Sequence, residues 1–205
     1  MANNDLNLPP EEMEKKYIAR FDKLEPTKRA LSAKNGVPPG AYEMIASRDI
    51  YRVMGAEGSA RAAAVAPLSS KHGLEVVIVE CPPNTGAGLH RHQRTSETFM
   101  PLDGKYEIYW GEQGQYSTVL KPYDMFDAPP GLFRGFRNVD DHSARMLVFV
   151  QGKTGDAFND LLVASKVGQA VEAAYGPEVL EKLEGIGFTF EHKVAAGVGS
   201  AADAS

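Results

Sequence analysis

The chain has 205 residues, 43% of them hydrophobic, with 22 Lys and Arg against 27 Asp and Glu and a formal charge of -5. That length fits one domain with extensions, or at most two small domains. The acidic balance, with no Arg/Lys block, disfavours nucleic acid and anionic membrane surfaces as partners. A single cysteine, Cys81, excludes a disulfide framework within the chain and a thiolate zinc cluster. The N-terminus lacks a basic start followed by an apolar core, and no apolar run reaches the length of a membrane span, so a cytoplasmic setting is expected.

Residues 1–8 read as disordered. Pro9 and Pro10 with acidic neighbours start a helix, and Met13, Tyr17, Ile18, Phe21 and Leu24 at helical spacing carry it to near Pro26. It is expected to pack on the outside of the domain or to meet a dimer partner. Residues 34–49, with Gly36, Pro38, Pro39 and Gly40, read as a loop. A strand fits 49–54, and 57–73 has no clear signal.

From Leu74 the chain changes character. Residues 74–81 are a β-branched run expected to form a buried strand, halted by Pro82 and Pro83. Short strand-like segments then alternate with turn signals as far as about residue 151. These include a hairpin turn at 111–114 and a turn at 121–124. Such spacing indicates a sandwich or barrel. After it, Asp156 is a plausible N-cap for a helix over 157–175, stopped by Gly176 and Pro177. A short helix follows at 177–185, then a last strand near 188–194. The resulting layout is an N-terminal helix and extension over 1–73, a barrel over 74–152, a helical extension over 153–194 and a disordered tail over 195–205.

The chemistry lies in the barrel. His90 and His92 are two apart, so on a strand both face one side, about 7 Å apart at the backbone. Glu97 is five beyond His92, an odd offset that points away on a flat strand. The polar stretch 93–96 must therefore turn or bulge to bring it back. Two imidazoles and a carboxylate suit a first-row divalent metal and leave positions open for water or substrate. The histidine pair alone is a weak signal, and the strand–turn frame strengthens it.

In that frame, His90-x-His92-x4-Glu97-x6-Gly104 resembles the first motif of the cupin superfamily. Asp124, Pro129, Gly131 and Asn138 resemble the second. The resemblance covers about 80 residues, the barrel only. It implies an all-β core, a double-stranded β-helix or jelly-roll barrel, here with an N-terminal helix and a C-terminal helical extension. It also implies a metal site, often in a homodimer. Two departures concern turn glycines: Asn84 stands six before His90, and Tyr123 precedes Asp124. A third is chemical. Arg134 stands where the family has its fourth ligand, a histidine, and arginine cannot ligate a cation.

If Arg134 points inward, a substrate carboxylate can satisfy it, or Glu97 or Asp127 can neutralise it. If it points outward, the site has three protein ligands and water. Tyr106 is either core filling or a proton donor in the pocket. Cys81 reads as a packed thiol, His142 as exposed, and His72 and His192 as outside any constellation. The expected function is a metal-dependent enzyme acting on a small organic acid, preferentially a dioxygenase-like oxidoreductase. Fe(II) is preferred, and Mn, Ni or Zn are the alternatives. His90, His92 and Glu97 would ligate and Arg134 would orient the substrate. A non-redox isomerase, lyase or decarboxylase is the first alternative, and a non-catalytic small-molecule binder the second.

Overall fold

A computed structural model describes residues 7–26, 34–59, 66–153, 158 and 160–191. Its centre is two facing sheets. In chain order the strands are β1 (Asp49–Ala56), β2 (Leu68–Ser70), β3 (Leu74–Cys81), β4 (His90–His92), β5 (Ser96–Pro101) and β6 (Tyr106–Trp110). They continue as β7 (Tyr116–Leu120), β8 (Phe126–Ala128), β9 (Arg134–Asn138), β10 (Ala144–Gln151) and β11 (Leu161–Val163). One sheet runs β2-β1-β3-β10-β5-β8, the other β11-β4-β9-β6-β7. The jelly-roll architecture expected from the sequence is therefore present. Its sheets also draw strands from outside 74–152: β1 pairs with β3, and β11 pairs with β4.

Alternation explains the barrel. In β3 the buried positions are Glu75, Val77, Val79 and Cys81, while Leu74, Val76, Ile78 and Glu80 are half-buried. The β-branched run expected to form a buried strand does so, with one face buried and the other half-buried. From β10, Met146, Val148 and Val150 meet that face, and Phe99, Tyr106, Ile108 and Phe136 fill the space between the sheets. The β6–β7 hairpin forms as expected, with Trp110 opposite Tyr116.

The motif glycines have a backbone reason. Gly104 and Gly131 take φ of 63° and 87°, a region that costs an L side chain roughly 1–2 kcal/mol. At Gly104 a Cβ would also stand 2.5 Å from the Ala144 Cβ. Asn84 and Tyr123, at the two positions where the motifs have glycine, hold the same conformation, with φ of 60° and 73°. Asparagine tolerates it; a tyrosine there is strained.

Four expectations about the flanks need correction. The N-terminal helix α1 (Pro10–Tyr17) buries none of its residues and ends at Ile18, which is extended. The chain then runs as a strap in which Phe21 packs on Tyr51 at 4.9 Å between ring centroids and lies under the Arg145 guanidinium. These contacts outweigh the helical periodicity. Within 34–49, read as a loop, Pro39–Glu43 forms a short helix, α2.

The helix expected from residue 157 begins only at Ser165. Before it, Leu161–Val163 pairs with β4 as a strand, because its apolar side chains complete the sheet beside the histidines. Asp156 lies outside the described residues. Helix α3 (Ser165–Tyr175) stops at Gly176, whose φ is 89°, and α4 (Pro177–Gly185) follows as expected. In place of a last strand, Phe190 makes a single bridge to Val163. His192 and the tail lie outside the described residues. Val171, Val179, Leu180 and Leu183 from the helices pack with Val37, Ala41 and Ile45, a second core against the barrel mouth. No helix among the described residues is long and apolar enough to cross a membrane.

Candidate metal centre

His90 and His92 stand on β4 and Glu97 on β5, all three buried. The turn demanded by the odd spacing lies at 93–95. It is held by Asp160, whose Oδ2 accepts from the Arg94 N–H, the Thr95 N–H and the Thr95 hydroxyl at 2.8–2.9 Å. The Asp160 carbonyl accepts from the Gln93 N–H. The chain re-enters as β5 with Glu97 facing inward, and one ligand atom from each of His90, His92 and Glu97 lies within 4.8 Å of the others. Glu97 Oε2 is 3.7 Å from His90 Nε2, and Oε1 is 4.0 Å from His92 Nε2. Ligands each about 2.1 Å from one ion lie about 3–4 Å apart, so the group sits at or just beyond coordination spacing.

The outer partners fit the group to a metal. His90 Nδ1 is 2.7 Å from the Gly88 carbonyl, which can only accept, so Nδ1 carries the proton and Nε2 offers a lone pair. His92 Nδ1 is 2.6 Å from Asp160 Oδ1, and the same reasoning turns its Nε2 inward. A carboxylate or carbonyl behind the imidazole is the usual support of a metal-ligating histidine. Burial, seconded by Arg134, lowers the His90 pKa and keeps the ring neutral. Burial pushes the Asp160 carboxyl up, but the His92 and backbone hydrogen bonds outweigh it and bring it down to about 2.

Arg134 points inward and is 1% exposed. Its Nε and Nη2 donate to Glu97 Oε2 at 3.1 and 2.5 Å, and Nη1 donates to the His90 carbonyl at 3.2 Å. Of the counter-charges weighed from the sequence, Glu97 is the one used; Asp127 instead accepts from the Thr98 hydroxyl. Burial would raise the Glu97 carboxyl, but Arg134, ahead of the two histidines, holds it well below the usual carboxylate range. Arg134 does not line the cavity in front of the ligands. Of the arrangements weighed from the sequence, the structure shows the inward one in which Glu97 neutralises Arg134 and Arg134 positions Glu97.

Tyr106 takes the core-filling alternative. It is fully buried in the core between the sheets, and its hydroxyl donates to the Ala144 carbonyl at 2.6 Å. Burial drives its pKa up, and its hydroxyl is directed to Ala144 within the core, away from the cavity lining. Cys81 is buried and in no disulfide, His142 is exposed beside Asp140 and Asp141, and His72 is exposed.

The cavity holds about 150 Å³. It is lined by His90, His92 and Glu97 together with Val77, Val79, Val148, Ile45, Phe158 and Phe188. From the helical extension, Leu161 and Phe188 also line the cavity. Asp160 is the functional residue that sequence reading missed. It follows the motifs by more than 20 residues, and an aspartate before Leu161 gives no signal in one sequence.

Residues 77–150 match the family model described as the Cupin domain. No curated protein matches the chain. Among solved structures, a Bacillus halodurans protein is similar over 42% of this chain and 68% of its own, at 13% identity and a TM-score of 0.40. A recombinant oxalate oxidase in complex with glycolate is similar over 56% of this chain and 53% of its own, at 19% identity and a TM-score of 0.42. A sugar phosphate isomerase of the cupin superfamily from Silicibacter pomeroyi is similar over 38% and 50%, at 24% identity and a TM-score of 0.35. This chain therefore spans about half the length of the oxidase and the isomerase. With two facing sheets and the motif residues at their structural positions, the chain carries a cupin domain over residues 77–150.

Proposed function

We propose that this chain is a metal-dependent cupin enzyme acting on a small organic acid, with dioxygenase-like chemistry and Fe(II) as the preferred ion. One observation carries the reading. Two imidazoles with Nδ1 already committed turn Nε2 toward Glu97 in the lining of a largely apolar cavity. When bound, the ion supplies Lewis acidity and, as iron, one-electron chemistry with dioxygen. The chain's own residues do the rest. Gly88 and Asp160 fix the rings, Arg134 fixes Glu97, and the walls exclude water. With a divalent ion, Glu97, Arg134 and Asp160 leave the centre net positive, which suits an anionic substrate. The substrate is the expected partner, and a homodimer is the expected assembly, which light scattering tests.

The test is metal content of untagged protein beside His92→Ala and Glu97→Ala variants, then oxygen uptake by the iron-loaded protein with small carboxylic acids. Uptake that needs both iron and acid, and is lost in the variants, supports the reading. Turnover without oxygen, equal with zinc or nickel, would replace it with the non-redox alternative. A second reading, a binder without turnover, is favoured by the Arg134–Glu97 pair, which satisfies the carboxylate with no ion present. Failure to take up any metal on reconstitution would select it.

A further inference from the structure

The cavity lining has a second buried carboxylate, Glu75, that the metal centre does not use. Val150 pairs with Glu75 on one side and with Glu97 on the other. The two glutamates therefore lie in one row across β3, β10 and β5, both facing the barrel interior. Two strand spacings separate their backbones by about 10 Å. Glu75 is 6% exposed and lines the same cavity. Its Oε2 is 3.4 Å from Arg52 Nη1, and its Oε1, though buried, has no hydrogen-bond partner among the described residues. A buried carboxylate oxygen left unpaired is costly, and native proteins retain few such groups. Val77, Val79, Val148 and Val150 also line the cavity. A cavity of about 150 Å³ is the size that accepts one benzene ring in another protein.

We propose that Glu75 is a substrate-recognition residue. The ligand it fits has the size of one benzene ring and an apolar body. It carries an anionic group beside His90, His92 and Glu97 and a hydrogen-bond donor, a hydroxyl or amine, that meets Glu75 Oε1. Arg52 supplies the counter-charge to Glu75. This rests on the metal-centre reading above and narrows its organic acid to one with a donor at the far end.

The test uses the full chain loaded with Co(II), whose visible absorption reports coordination, titrated with 4-hydroxybenzoate and with 4-methylbenzoate. The two acids differ only in the donor. In the wild type the hydroxy acid is expected to bind about tenfold tighter or more, as for one hydrogen bond to a charged group. In Glu75→Leu that preference disappears while Co(II) affinity and spectrum are unchanged. Equal affinities in the wild type, a preference that survives in Glu75→Leu, or failure of both acids to bind the loaded protein would overturn the proposal. Should Glu75→Leu not fold, the wild-type pair of titrations decides alone. If Co(II) itself does not bind, the metal reading has failed. The same two acids are then titrated calorimetrically on the metal-free protein, where a preference supports the role of Glu75 and its absence overturns it.

Discussion

Asp160 Oδ1 stands 2.6 Å from His92 Nδ1, joining a residue beyond the barrel motifs to a candidate ligand 68 positions earlier. Its other oxygen holds the turn that returns Glu97 to the pocket. One carboxylate thus orients His92 and sets the position of Glu97.

Asp160→Ala is therefore expected to weaken metal binding about 10–100-fold, the usual effect of losing an outer partner. Asp160→Asn keeps an acceptor for the His92 N–H and should lose less. Competition against a chelating dye measures both; an unchanged affinity in Asp160→Ala would remove the residue from the centre.

Arg134→Met leaves Glu97 buried without its counter-charge. The metal-free variant should lose roughly 3–5 kcal/mol of stability in urea unfolding, the usual cost of breaking a buried ion pair. A divalent ion would restore the missing positive charge, so metal should raise Tm more in the variant than in the wild type. Equal shifts in both would mean that the ion does not meet Glu97. Arg134→Lys keeps the charge but loses the fork that donates twice to Oε2, and should fall between the two.

Tyr123 is 75% exposed with φ of 73°, so its side chain gives little in return for the strained backbone. Tyr123→Asn should stabilise the fold by about 0.5–1 kcal/mol, since asparagine enters the left-handed region more readily. Thermal unfolding checks this, and a lowered Tm would show that the ring carries packing that its exposure conceals.

Burial pushes Tyr109 up to about 12 and raises Tyr106 further. Below the ordinary tyrosine pKa of about 10, both are neutral in the folded and unfolded chain, and their stabilising contribution is complete. Above it only the unfolded chain ionises them, so stability falls as pH rises toward 12. Absorbance at alkaline pH should show these two tyrosines titrating only with unfolding. Tyr109→Phe, which cannot ionise, should flatten part of the loss between about pH 10 and 12. Ionisation of all eight tyrosines in the folded protein would contradict this.

Much of the barrel was legible because strand alternation and turn glycines are local properties. The β3 run, the hairpin at 111–114 and the motif glycines stand where the sequence puts them. The need for a turn at 93–96 followed from parity alone. The flanks were less legible. Helical periodicity through Leu24 yielded to the contact of Phe21 with Tyr51, and residues 161–163 read as helix because nothing local shows that a sheet edge beside β4 awaits them.

By itself the sequence determined the strand frame and the trio His90, His92 and Glu97, since a two-residue repeat and one compensating turn decide which side chains share a face. Only the tertiary structure decided what surrounds the trio. Arg134 binds Glu97, Tyr106 belongs to the core, Asp160 backs His92, and Glu75 shares a row with Glu97 through Val150. The physical reason is that hydrogen bonds and ion pairs form between groups that packing brings together, and register between strands far apart in the chain is set by the whole sheet. No short stretch of residues carries that register.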